Sequence, residues 1–117
     1  MDAQSKLPLN PKDLLILLTL AERSMHGYGI LKSAEEQSKG RVRLDPANLY
    51  RALQRLERDG LVEDAGEGRS SESEGAPRRY HRLTPFGRKV AEAESARLAR
   101  QVRRARQQRL LGSSRRA

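Results

Sequence analysis

Leu44 to Leu61 reads LDPANLYRALQRLERDGL, and its capping residues, leucines and arginines decide the fold. Asp45 can accept hydrogen bonds from the free N–H groups of a starting helix, and Pro46 has the fixed φ of a first helical residue. A helix is therefore predicted from Pro46. Leu49, Ala52, Leu53 and Leu56 fall on one stripe at i, i+3, i+4 and i+7, whereas Ala47, Arg51, Gln54 and Arg58 project from the opposite side. One face belongs to a core; the other is free to make contacts. Gly60 supplies a left-handed stop, and Leu61 to Ala65 begins a short strand.

Two more cap-and-proline pairs, Asn10-Pro11 and Thr84-Pro85, mark further helix starts. The first helix, Pro11 to Arg23, is apolar on nearly every side through Leu14, Leu15, Ile16, Leu17, Leu18 and Leu20, which predicts burial among the other elements. Met25-His26-Gly27-Tyr28-Gly29 breaks that pattern. A second helix from about Tyr28 to Ser38 turns Ile30, Leu31 and Ala34 inward and ends at Gly40. Val42 and Leu44 then alternate with Arg41 and Arg43 as a short strand-like connection. Beyond the third helix, Leu61 to Ala65 and Arg78 to Leu83 read as two strands. Between them Gly66 to Pro77, rich in Gly, Ser and Glu, has no apolar residue but Ala76 and is expected to be a mobile loop.

Helix, helix, helix, hairpin is the order of a winged helix-turn-helix, so the expected fold is mainly α with a small β-hairpin. The last helix, Thr84 to about Leu111, is longer than that fold needs. Ala91, Leu98, Val102 and Ala105 recur at heptad-like intervals, with Phe86 and Val90 near the same stripe. Nothing else in the chain remains to cover this seam, and the simplest cover is a second copy. The expected organisation is an N-terminal extension (1–10), a winged helix-turn-helix domain (11–83), a dimerisation helix (84–111) and a basic disordered tail (112–117).

A chain of 117 residues is one domain with an appended helix. It has no cysteine, which removes disulfides, thiolate metal sites and Cys nucleophiles and fits a reducing cytoplasm. The longest apolar run, Leu14 to Leu18, is too short to cross a bilayer, and the N-terminus lacks a basic-then-apolar leader. A soluble, cytoplasmic protein without membrane contact is expected. The formal charge of +9 points to a polyanionic partner, but its distribution matters more than its total. From Met1 to Leu83, 14 Lys and Arg face 13 Asp and Glu, while from Thr84 to Ala117, 10 face 2. Within the near-neutral part, Lys39, Arg41, Arg43, Arg51, Arg55 and Arg58 stand against only Asp45 and Glu57 between positions 39 and 58. That local excess marks a candidate nucleic-acid surface.

The remaining polar residues read more plainly. His26, beside a glycine turn, is a structural hydrogen bonder; His81 is a surface or phosphate-facing strand residue. Glu35, Glu36, Glu92 and Glu94 are helix-surface charges, since no acid–base partner or metal-ligand spacing accompanies them. Ser70, Ser71 and Ser73 have no His-Asp companions, so no catalytic residue, metal or cofactor is expected.

HGYGI at His26–Ile30, NLYRALQRLERDGLV at Asn48–Val62 and RRYHRLTPFGR at Arg78–Arg88 resemble the signature segments of the PadR family of bacterial transcriptional regulators, over about Asp13 to Val102. The resemblance implies a dimeric, repressor-type protein with an N-terminal winged helix-turn-helix. Its single C-terminal dimerisation helix resembles the short PadR subgroup. Ala47-Asn48 stands where the family usually has Gly-Thr, a departure at the end of the helix that reads bases. With no Trp, and only Phe86 near the seam, the chain offers no aromatic stacking pocket for an effector, whose identity stays open.

The expectation is thus a homodimeric, sequence-specific regulator of double-stranded DNA. Asn48, Tyr50, Arg51, Gln54 and Arg58 lie on the helix that would enter the major groove, and Lys39, Arg41, Arg43, Arg55, Arg78, Arg79 and Arg82 would grip phosphates. Phe86, Val90, Ala91, Leu98, Val102 and Ala105 would form the dimer interface. The alternative is a winged-helix module that binds protein or RNA through the basic C-terminal helix.

Overall fold

The computed structural model describes residues 2–68 and 78–112. Along the chain lie α1 (Pro11–Glu22), β1 (Met25–His26), α2 (Gly27–Gln37), α3 (Pro46–Arg58), β2 (Val62–Gly68), β3 (Arg78–Leu83) and α4 (Pro85–Gln107). The three cap-and-proline pairs start their helices: Asn10, Asp45 and Thr84 accept from the N–H groups of Lys12, Asn48 and Gly87. The fourth cap is His26, whose Nδ1 accepts from Gly29 N at 3.1 Å, so the imidazole has the structural part its glycine turn implies. Gly60, at φ 82°, stops α3, and Leu61 N donates back to Leu56 O at 2.9 Å. At the end of α2, Lys39 (φ 55°) and Gly40 (φ 79°) are both left-handed. Residues 41–44 then belong to neither helix nor strand, so the strand-like alternation of Val42 and Leu44 does not become a strand.

The sheet is three-stranded and antiparallel in the order β1-β3-β2. Its edge strand β1 comes from the segment that only reads as a break in the helical pattern, and Met25 and His26 pair with His81 and Tyr80. β2 runs three residues past the expected end. A bulge after Asp64, with Gly66 at φ 89° and its N–H donated to Asp64 Oδ1 at 2.6 Å, lets pairing resume through Gly68↔Arg78. From residue 69 to 77 the expected loop lies outside the described residues, as does the expected tail beyond 112.

Ile16 and Leu17 of α1, Ile30 of α2, Leu56 of α3, Leu61 just before β2, Val62 of β2 and Val90 of α4 meet in one buried cluster. α4 is fixed at its start: Thr84 Oγ1 donates to Gly60 O at 2.6 Å, and Thr84 N donates to Leu61 O at 3.1 Å. Gly87, Val90, Ala91 and Glu94 form its buried stripe. Val90 and Ala91, expected at a dimer seam, are therefore part of this chain's own core, and Phe86 packs against that core too. The helical stripe is continuous, and the body covers its first turns.

Glu94 also departs from expectation. It is 1% exposed, accepting from Leu9 N at 2.9 Å and from Arg97 Nε and Nη2 at 2.6 and 2.9 Å. Hydrogen bonds from Arg97 and then from Leu9 hold its carboxyl below the usual glutamate range, against the opposing effect of burial. These bonds tie the N-terminal segment to α4. A short 3-10 turn, Ala3–Lys6, lies along α4, and Ala3, Leu7 and Leu9 pack against the core.

Candidate nucleic-acid interface

α3 sorts its residues by stripe. Leu49, Ala52, Leu53 and Leu56 are buried, so the helix is held by one side and its other side is polar. At its N-terminal end Asp45 receives both Asn48 N (2.7 Å) and Asn48 Nδ2 (3.1 Å), and Asn48 Oδ1 in turn accepts from Arg51 Nη2. One turn around, Tyr50 is 64% exposed and its hydroxyl accepts from Gln54 Nε2 at 3.1 Å. Asn48 is thus tied to Arg51 and Tyr50 to Gln54, and none of the four is committed to the core. Arg58 is exposed and has no ion-pair partner among the described residues.

Arg55, expected among the phosphate-gripping residues, is engaged inside the molecule. Its Nη1 and Nη2 donate to Asp13 Oδ2 and Oδ1 at 2.7 and 3.1 Å. Those hydrogen bonds hold the guanidinium above its ordinary value, with burial opposing. Asp13 carries no signal in the sequence beyond its place in the first turn of α1, because its partner lies 42 residues away.

Carboxylates also meet several of the other cations expected to grip phosphates. Arg79 reaches Asp64 at 3.1 Å and Glu67 at 3.5 Å, Arg82 reaches Glu63 at 2.7 Å, and Arg43 lies 3.7 Å from Glu35. The Asp64 carboxyl is held below its usual range, first by the Gly66 N–H and then by Arg79. Lys39 and Arg41 are exposed without an ion pair among the described residues. Arg78 lies 5.6 Å from the ring centre of Tyr28, itself 56% exposed, and His26 meets Tyr80 edge-on at 5.3 Å. His81 Nδ1 lies 3.3 Å from Glu57 Oε2, linking β3 to α3. A groove of about 500 Å³ runs between the start of α2, α3 and β3, lined by Tyr28, Leu31, Leu49, Tyr50, Leu53 and Arg78 among others. Tyr28 gives no sign of this position in the sequence, where it reads only as the start of α2.

Beyond Glu94 the buried stripe of α4 continues as Leu98, Val102 and Ala105. There it leaves the body: Val102 is 40% exposed, while Leu98 and Ala105 are half-buried. Arg100, Arg103 and Arg104 occupy the opposite side without ion-pair partners among the described residues. Among the described residues no group of three His, Asp or Glu side chains could hold a metal, and no helix is long and apolar enough to cross a membrane.

Three packed helices, a small antiparallel sheet and a third helix with its polar face open define a winged helix-turn-helix protein. Residues 16–93 match the transcriptional regulator PadR-like family, and the chain belongs to that family, one of regulators rather than enzymes. It is 42% identical over 91 residues to an uncharacterized 37.1 kDa protein in transposon TN4556 of Streptomyces fradiae, which matches 78% of this chain but only 24% of the relative's length. Among solved structures, a PadR family transcription regulator from Clostridium difficile R20291 superposes with a TM-score of 0.67 at 25% identity, over 87% of this chain and 100% of that one. A transcriptional regulator from Clostridium thermocellum gives 0.60 at 29% identity, over 77% and 86%.

Proposed function

We propose that the protein is a homodimeric, cytoplasmic regulator that binds duplex DNA sequence-specifically, acts as a repressor, and inserts α3 into the major groove. The observation that carries this reading is the open face of α3. Arg51 and Gln54 can donate to base edges, Asn48 can orient Arg51, and Arg58 can meet a phosphate or base at the far end. The order of elements and the family membership support the same assignment. Phosphate contacts fall first to Lys39, Arg41 and Arg78, because Arg43, Arg79 and Arg82 each share a carboxylate.

Dimerisation is supported by the stripe Leu98, Val102 and Ala105, which continues the buried face of α4 past the edge of the body. Burying a Leu side chain contributes roughly 1.5–3 kcal/mol, and twofold symmetry buries each residue of the stripe twice. A second reading, docking of protein or RNA on α4, is favoured by the unpaired Arg100, Arg103 and Arg104. Selection of bound duplexes from a random library separates the two. Enrichment of one motif with two half-sites in inverted repeat supports the DNA-reading dimer, and recovery of random sequence at all salt concentrations contradicts it.

A further inference from the structure

Arg51, Arg55 and Arg58 stand at i, i+4 and i+7 on α3, a row of three cations beside the residues that would read bases. The outer two have no carboxylate partner among the described residues. The middle one is clamped through both terminal nitrogens to Asp13, whose side chain is only 8% exposed. Asp13 lies in the first turn of α1, where free N–H groups and the positive end of the helix also favour a negative charge. It is thus anchored on an element buried in the core, while Arg55 lies at the margin of the exposed face. Bidentate pairing fixes direction as well as distance. Any roll of α3 about its axis would pull the guanidinium off a carboxylate with little access to water, leaving a buried charge uncompensated.

We infer that Asp13 is a specificity-determining positioning residue: through Arg55 it sets the roll of α3, and it withholds the central arginine of the row from DNA phosphates. The inference rests on α3 being the DNA-reading helix. A row of three free arginines would grip any duplex, since phosphate contacts carry no sequence information. Neutralising the middle one reduces that indiscriminate grip and holds the two outer ones in register for base edges.

The test uses the full chain, titrated over a range of salt against the duplex selected from the random library and against a scrambled duplex. Asp13→Asn releases Arg55. Its preference for the selected duplex should fall about tenfold, the size of one lost base contact, while scrambled-duplex binding strengthens and the log–log salt slope steepens by about one unit. Asp13→Glu keeps the charge but moves the clamp by one methylene; it should lose preference with the salt slope unchanged. The double variant Asp13→Asn with Arg55→Gln retains hydrogen-bonding groups without a freed cation and should return the slope to that of the parent. Equal weakening on both duplexes at unchanged slope in Asp13→Asn would reduce Asp13 to a fold-holding residue and overturn the inference. So would full preference in Asp13→Glu, which also serves if Asp13→Asn does not fold. A parent protein that does not distinguish the two duplexes refutes the DNA reading itself, a result seen before any variant is made.

Discussion

Gly87→Ala should destabilise the fold, although the same change in an open helix does the opposite. Gly87 lies in the first turn of α4, where replacing Gly by Ala ordinarily gains about 1 kcal/mol of helix propensity. Here a Cβ would stand 2.0 Å from the Leu61 carbonyl oxygen, and 2.9 Å from both the Leu61 carbonyl carbon and Leu83 Cδ1. Cβ atoms essentially never approach another heavy atom within 3.0 Å, and two of these three are backbone atoms that cannot swing aside. α4 must therefore back away from the α3–β2 corner by roughly 1 Å. That strains the Thr84 contacts to Gly60 O (2.6 Å) and Leu61 O (3.1 Å). Overpacking costs roughly 1–3 kcal/mol, and each strained hydrogen bond adds about 0.5–1.5 kcal/mol. Against the propensity gain, these ranges leave a net loss of roughly 1–5 kcal/mol, and its centre of about 3 kcal/mol lowers the thermal midpoint of a domain of this size by roughly 10–20 °C. Thermal unfolding followed by circular dichroism at 222 nm measures it. A midpoint equal to or above that of the parent would refute the close approach of α4 to Leu61.

Replacing Leu98 and Val102 together by Asp should convert a dimer to monomers in sedimentation velocity; a monomeric parent at micromolar concentration, or an unchanged dimer in the variant, would contradict the assigned seam. Glu94 has a folded-state pKa below the ordinary glutamate value, so its contribution is complete above that value and is lost as pH falls through the folded-state one. Glu94→Gln should lower the neutral-pH midpoint and weaken its decline on acidification, with earlier proteolytic cleavage before Leu9; parallel acid limbs would remove Glu94 from that role. Arg41→Ala should flatten the salt dependence of DNA binding by about one unit. Arg79→Ala, already neutralised by Asp64 and Glu67, should change it little, and the reverse order would mean that the wing carboxylates release Arg79 on binding.

What was legible in the sequence is what local chemistry specifies. Asn10, Asp45 and Thr84 announce their helices because a cap bonds within three residues, and Gly60 ends α3 because its left-handed conformation needs no distant partner. The buried and open faces of α3 follow from its 3.6-residue period alone. What escaped depends on contacts far along the chain. Glu94 reads as a surface charge until Leu9, 85 residues earlier, donates to it, and Arg55 reads as a free cation until Asp13 is brought to it. Val90 and Ala91 share one stripe with Leu98, so periodicity cannot show where the body stops covering it. β1 is two residues long and gains its identity only by pairing with β3. Of the expected interface, Asn48, Tyr50, Arg51, Gln54 and Arg58 do lie on the open side of α3, whereas Arg79 and Arg82 meet Glu67 and Glu63, placed opposite them by strand register.

The reading role of α3 is tested most directly by titrating Arg51→Ala against the selected duplex, single-base variants of it and a scrambled duplex at one fixed salt concentration. A loss of about 1–3 kcal/mol on the selected duplex, with preference relaxed at one base position and scrambled-duplex binding nearly unchanged, is the predicted result. Equal losses on all duplexes would show that α3 only holds phosphates and that the sequence is read elsewhere.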